Sequence, residues 1–491
     1  MKSFFLPSLL LIFLAASFAH AAVEIYPPLP EHLYESAKYE VSVTWDGQTR
    51  DSCVLTTVND TKPDRIPYMT TANHWTTFSM DEGTEVKVTV RCKDQKLESA
   101  VIRPLSRKIP FEIKDGILTF TLTKPQNLFI DLAGCEREPL FIFANPIEPN
   151  APTAETDDTH YFGPGVHSIG EFTITKPRVY LAPGAYVKGN LRFSRDLKDT
   201  AEIFGPGILS GIDYTHDPEG WDNHILIKGG EWLKHVTMRD FTLVDSPGCN
   251  IAVRTKLDAG NLKIFAWTSC SDGISGGKNS LIHDCFFKTM DDNIHITQSG
   301  TQVRNTVHYL QEHGSALVMG WCQAHDAQDV HVDGVEIVGD SRIAFRPKTW
   351  PPIREKHYNS AVVALNNMKG TKEGEGVHYH DLVVENVTVE VGMFTPVSIQ
   401  VKAEFTMLGL NGETLHYDEG LGRVSNLTFR NFNILVKPGS RPVFDGNGQK
   451  DGSIRGVTFE NWTVEGKKMT QETMDQFIIR EGKTEDFRVI E

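Results

Sequence analysis

From Tyr161 onward the chain repeats one short pattern, and that repeat limits the fold more than any other feature. Its clearest copies are Val383-Val384-Glu385-Asn386-Val387-Thr388-Val389, Leu427-Thr428-Phe429-Arg430-Asn431-Phe432-Asn433-Ile434 and Val457-Thr458-Phe459-Glu460-Asn461-Trp462-Thr463-Val464. Each reads apolar-x-apolar-x-Asn-apolar-x-apolar. Val330 to Ile337 carries Gly334 at the same place, and Val236 to Leu243 carries Asp240. Shorter apolar runs at Leu262, Leu281 and Val303 keep the rhythm, at roughly every 20–30 residues. Self-similar units with a polar or glycine corner stack as the coils of a parallel β-helix, because one coil alone cannot bury its apolar faces. A second β-sandwich would need hairpin turns such as Asn-Gly between neighbouring strands. Those are scarce here.

The region before the repeat has another texture. Residues 22–145 show short alternating runs, as in Tyr39-Val41-Val43, Val86-Val88-Val90 and Leu118-Phe120-Leu122. Such strands, without helix-length patterns, predict a β-sandwich. Residues 146–158 are rich in Pro, Asn, Ala and Thr and lack periodicity, which predicts a linker. Residues 159–491 form the predicted solenoid. At the start, Lys2 precedes an apolar run to Phe18, and Ala19-His20-Ala21 ends it as a small-x-small site. This reads as a secretory signal over 1–21, with cleavage after Ala21. The run is broken by Pro7 and is too short to span a bilayer. The expectation is an all-β, exported monomer with no membrane association once the signal is removed.

The net charge of −15 argues against a nucleic-acid partner and fits a neutral substrate better than a polyanion. The seven cysteines show no Cys-x-x-Cys or Cys/His spacing, so no structural metal is expected. Export permits disulfides, and Cys53 with Cys92 is the predicted pair. Cys270 and Cys285 read as buried fillers of strand positions. Asn-x-Thr sequons stand at Asn59, Asn386, Asn426 and Asn461.

The stretch 261–295 concentrates the chemistry. Asp272 sits in a Ser-Asp-Gly turn, and Asp291 and Asp292 stand side by side before Asn293. Aspartate is a poor strand residue and is costly to bury unpaired, although turns also use it. In a β-helix, residues one coil apart stack at about 4.8 Å, so Asp272 and Asp291 can project together from adjacent coils. Adjacent strand residues point oppositely, so Asp291 and Asp292 share a side only if the chain bends, which Asn293 favours. Three neighbouring carboxylates cannot all ionise freely, so one should keep its proton. Glycoside hydrolysis needs such a set, one carboxylic acid with one carboxylate.

These residues carry a resemblance. Ser271 to Gly277 (SDGISGG), Asp284 to His295 (DCFFKTMDDNIH) and His313 to Trp321 (HGSALVMGW) resemble glycoside hydrolase family 49, the dextranases and isopullulanases. The resemblance implies a right-handed parallel β-helix preceded by an N-terminal β-sandwich, hydrolysis of a neutral α-glucan and inversion at the anomeric carbon. It implies Asp291 as general acid, with Asp272 and Asp292 holding the attacking water, and no cofactor. Inversion sets an expected carboxyl separation of roughly 6.5–9.5 Å. The chain is short for that family. The uronate-gripping Gly-His-Gly and Arg-Ile-Lys of polygalacturonases are not found.

Trp321 and His295 are the candidate substrate-binding residues, Trp321 because it follows the matched Gly320 and aromatic faces stack on sugars. Packing is the expected role of Trp221, Trp267 and Trp350, and Lys402 and Arg346 are unassigned. The rival readings are a polygalacturonase-like hydrolase, a lyase using the three carboxylates as calcium ligands, and a non-catalytic binding solenoid.

Overall fold

A computed structural model describes residues 22–57, 72–214, 225–268, 270–311, 314–320, 325–341, 361–366, 377–392, 394–401, 404–408, 414–418, 422–446 and 453–490. The first part is a sandwich of two sheets. One orders strands 23–25, 74–80, 140–145, 126–132 and 100–103, with 54–56 paired on 74–80; the other orders 48–52, 39–45, 86–92, 117–122 and 111–114. Alternation decides which side faces inward: Val86, Val88 and Val90 are buried while Lys87 and Arg91 are exposed. The inward set meets Phe78, Ile130 and Ile142 of the opposite sheet.

Beyond it, the described residues form a 28-stranded β-helix that begins with strand Thr159–Phe162 and is parallel except at Lys467–Lys468, and strands Glu404–Leu408 and Thr414–Asp418 make a separate antiparallel pair. Parallel crossovers are right-handed as a rule. Most coils carry three short strands, one per face, each paired with its counterparts on neighbouring coils. One interior ladder runs Ile203, Met238, Ala259, Ile282, Val303, Val332, Val384, Phe429, Phe459 and Val489. Residues one rung apart repeat the same apolar demand, which is why the sequence repeats.

The recurring corner residue has a backbone reason. Asp240, Asn261, Asp284, Asn305, Asn386, Asn431 and Asn461 all have φ between 50° and 77°, and Gly334 has 85°. Glycine visits this left-handed region freely, and Asn and Asp are the side chains that tolerate it best. Their side chains also bridge rungs: Asn431 Nδ2 donates to Asn386 Oδ1 at 2.8 Å, and Asn461 Nδ2 to Asn431 Oδ1 at 2.9 Å. Asn426 makes the equivalent bond to Asp381 at 3.0 Å on a second corner. Three of the four sequons are thus corner rungs; Asn59 lies outside the described residues.

The sandwich packs on the second face of the solenoid. Trp75, Phe129, Phe141 and Phe143 mesh with Phe265, Phe286, Met290 and Tyr309 in one buried cluster. Rings approach to 5.1 Å between Phe141 and Phe286. Arg103 reaches Glu390 at 2.9 Å and Arg107 reaches Glu336 at 2.9 Å, beside the apolar contact.

Two cysteine expectations are corrected. Cys53 and Cys92 are both free thiols. Cys92 points into the sandwich core, whereas Cys53 packs against the interdomain cluster, so they face different layers. Cys285 is buried as expected, but Cys270 is exposed, because it sits on a turn with φ 58° rather than in a strand.

Candidate active site

The three aspartates meet where the second face turns into the third. Strand Phe286–Lys288 ends, and Thr289 to Asn293 turn the chain before strand Ile294–Ile296. Thr289 Oγ1 donates to the Asp291 carbonyl at 2.9 Å and to Asn293 Oδ1 at 2.5 Å. The buried Asn293 amide also bonds His308 Nδ1 at 2.8 Å. This bracing makes the bend that lets both neighbouring aspartates serve one site. Met290, inside the turn, anchors it to the sandwich through the interdomain cluster.

Register sharpens the sequence reading. Gly273 N bonds the Asp292 carbonyl at 2.9 Å, and Ile274 pairs with Ile294. Asp292 is therefore the rung partner of Asp272, and Asp291 lies one residue back in the turn. The ladder extends both ways, with Cys249 one rung before Asp272 and Ser315 one rung after Asp292. Two glycines are required by this closeness. A Cβ on Gly273 would stand 2.2 Å from the Asn293 carbonyl oxygen, and one on Gly314 would stand 2.2 Å from the Asp291 carbonyl carbon.

One carboxylate oxygen from each of Asp272, Asp291 and Asp292 lies within 4.8 Å of the others. At the level of nearest oxygens this is tighter than the expected separation of roughly 6.5–9.5 Å. Rung stacking sets Asp272 and Asp292 about one strand spacing apart, and the bend before strand Ile294–Ile296 brings Asp291 beside them. Asp291 accepts the Cys270 N–H at 3.2 Å and the Asp292 N–H at 3.0 Å. Asp292 is buried and accepts the Ser315 N–H at 2.8 Å. Asp272 accepts the Cys249 thiol at 3.2 Å. Burial, followed by the charge of Asp291, pushes Asp272 up to about 7. Burial and the charges of Asp291 and Asp272 hold Asp292 well above the usual carboxylate range. The cluster therefore retains a proton near neutrality, and that proton belongs to the group rather than to one residue.

Cys249 and Ser315 were not singled out from sequence. Neither residue type signals chemistry alone, but each stands one rung from an assigned aspartate, and that spacing could have found them. Burial pushes the Cys249 thiol well up, so it stays a donor.

Of the two expected binding residues, Trp321 lies outside the described residues, as do Trp221, Trp350, Arg346 and Lys402. His295 projects from strand Ile294–Ile296 between two buried isoleucines, in register with Ser275 and Val318. Burial pushes it down to about 4, and its Nε2 has no hydrogen-bond partner among the described residues. It is a neutral ring, and it makes no hydrogen bond or ion pair with the carboxylates among the described residues. Trp267 is buried in the interdomain cluster.

The fold and site define a parallel β-helix that is backed by a β-sandwich and carries a stacked carboxylate trio. Comparison with known proteins shows what such a chain is similar to. No family model matches the chain. A dextranase of Arthrobacter globiformis is 24% identical over 339 residues, covering 62% of this chain and 51% of the relative. One from Arthrobacter sp. (strain CB-8) is 25% identical over 374 residues, covering 66% and 54%. An isopullulanase of Aspergillus niger is 22% identical over 482 residues, covering 78% and 80%. The chain thus spans about half the length of the two dextranases. The solved structure of Dex49A from Penicillium minioluteum superposes with a TM-score of 0.71 at 18% identity, covering 95% of this chain and 96% of that one. The chain is thus similar in sequence to dextranases and an isopullulanase, and it shares the fold of Dex49A.

Proposed function

We propose that this protein is an exported, monomeric glycoside hydrolase that cleaves α-glucosidic bonds of a neutral α-glucan such as dextran or pullulan. The observation that carries the reading is the trio of carboxylates on adjoining rungs, sharing a retained proton. The relatives' named activities supply the substrate class. Among the described residues no helix is long and apolar enough to cross a membrane.

Hydrolysis needs a proton for the leaving oxygen and a base for the attacking water. Asp291 is half-exposed on the bend and is assigned the acid. Asp272 and Asp292, rung partners, hold the water. Two hydrogen bonds of about 2.8 Å meeting at a tetrahedral water span roughly 4.6 Å, which suits oxygens one rung apart. With substrate bound, Asp291 takes up the proton that the trio shares; the water gives its proton to the Asp272–Asp292 pair as it attacks the anomeric carbon, and Asp291 gives the shared proton to the departing sugar oxygen. No covalent sugar–enzyme bond forms, so the product has inverted configuration. Activity should rise as Asp272 ionises near pH 7 and fall when the cluster loses the proton that the acid must donate.

The test is release of reducing sugar from dextran, pullulan and polygalacturonate, with and without a chelator. Hydrolysis of dextran or pullulan, indifferent to chelator, is the expected result. Activity on polygalacturonate alone, or loss to the chelator, would replace this reading with the uronate hydrolase or the lyase.

A further inference from the structure

Nearer the start of the solenoid, the edge that carries the carboxylates holds a second cluster. Ser210, Val244, Phe265 and Lys288 occupy one register row. Asp213 follows Ser210 at the offset at which Asp291 follows Lys288. Three rungs separate the two aspartates, so they stand roughly 14 Å apart along the solenoid axis. Lys188, the register partner of Ser210, lies one rung further out. Its Nζ bonds Asp213 Oδ1 at 2.9 Å, and the two side chains are 19% and 48% exposed.

The sandwich reaches this place with Tyr34. Its ring lies 5.0 Å from that of Tyr186 at 32°. Tyr34 is half-exposed and has φ 58°, a conformation costly for a bulky side chain. The charges acting on its hydroxyl are those of Lys188, Asp245 and Asp213. Beneath it the floor is fixed: Tyr186 donates to Ser210 at 3.1 Å, and Ser210 to Asp245 at 3.1 Å.

We propose that Tyr34, Lys188 and Asp213 form a remote sugar subsite that holds one residue of a bound neutral glucan chain, an inference that rests on the hydrolase reading above. A pyranose presents an apolar C–H face, which an aromatic ring covers, and hydroxyls at its edge. An ammonium donates to such hydroxyls and a carboxylate accepts from them, so a lysine–aspartate pair can grip neighbouring hydroxyls. The pair is neutral overall, which suits an uncharged sugar. The distance to Asp291 is that of a short oligosaccharide laid along the edge. The sandwich then contributes binding as well as support.

The alternative is that Tyr34 only docks its loop on Tyr186. Chain-length dependence separates the two. Full-length wild type, Tyr34→Ala, Tyr34→Phe and Lys188→Met are compared on dextran and on short isomalto-oligosaccharides, with unfolding midpoints in parallel. For Tyr34→Ala and Lys188→Met, KM for dextran should rise roughly three- to tenfold while kcat holds, the size of one lost ring or polar contact. KM for the short substrates should not change, and Tyr34→Phe should keep most of the binding. Unchanged KM on dextran in both variants, or equal rises on long and short substrates, would overturn the subsite. Wild type inactive on dextran and pullulan alike would remove the hydrolase reading itself, and the subsite with it.

Discussion

The C-terminal coils and the coils that carry the three aspartates solve the same stacking problem in opposite ways. Strands 378–389, 423–434 and 453–464 are 12 residues each and run through the Asn corner without a break. Strands 251–253, 263–265, 274–275, 281–283, 286–288 and 294–296 are two or three residues each. The long strands put their residues into rung partnerships, such as the stacked rings of Phe432 and Trp462 at 4.2 Å. The short ones give their length to turns, and those turns carry Cys249, Asp272, Asp291 and Asp292. Regular coils supply stiffness; irregular coils spend it on groups that burial would otherwise forbid.

The contrast breaks most sharply at the carboxylates. Asp272→Asn, Asp291→Asn and Asp292→Asn should each lower kcat on the polymer by roughly 10²–10⁴-fold, the scale of a lost acid or base. Asp291→Asn should lose less on an activated aryl glycoside, whose leaving group needs little protonation. The other two should lose as much on both. Equal losses for all three on both substrates would unseat Asp291 as the acid. Stability should move the other way for Asp272. Its carboxyl is raised, so it favours the fold at low pH, and that contribution is lost as pH rises through about 7. Above pH 7, Asp272→Asn should therefore unfold at a higher temperature than wild type.

In the regular coils a core deletion should cost stability and spare chemistry. Trp462 is fully buried and stacked on Phe432, so Trp462→Ala should cost about 3–5 kcal/mol. Denaturant unfolding measures it, and kcat should hold below the transition; a cost under about 1 kcal/mol would show that the stack is not what stiffens these coils. Asn431→Ala should cost less, about 1–2 kcal/mol, from placing alanine in the left-handed region and losing bonds on both sides. Asn431→Gly should recover the backbone part. The smallest expected effect is at Cys249. Cys249→Ala removes a donor that favours ionised Asp272, so the rising limb of the pH–rate profile should shift up, by less than about one pH unit. Cys249→Ser, a stronger donor, should shift it down, and an unmoved limb in both would leave the thiol a packing group.

The same contrast explains what could be read from sequence. The Asn-cornered repeats around Asn386, Asn431 and Asn461 announce the solenoid, because each rung faces identical backbone and packing demands. The carboxylates stood out because three aspartates beside apolar strands need a reason. Their register did not, since Asp292 rather than Asp291 stacks on Asp272, and turn length within a coil leaves no mark in an apolar pattern. Cys53 and Cys92 misled for a similar reason: alternation shows that a residue is inside, not which of two buried layers it faces. Cys270 stands between Ser269 and Ser271 in the sequence, with no apolar alternation to place it in a strand, and the turn exposes it.

The claim on which all of this turns is that a water held by Asp272 and Asp292, and not a carboxylate, attacks the sugar. Proton NMR of the first product released from an α-glucan, recorded before mutarotation, reads the anomeric configuration directly. Attack by a water held on the Asp272–Asp292 pair predicts the inverted, β-configured product, whereas the close spacing of the carboxylates by itself suits a retained one. A product that emerges with α configuration would mean a covalent intermediate on one of the three aspartates and would contradict the account.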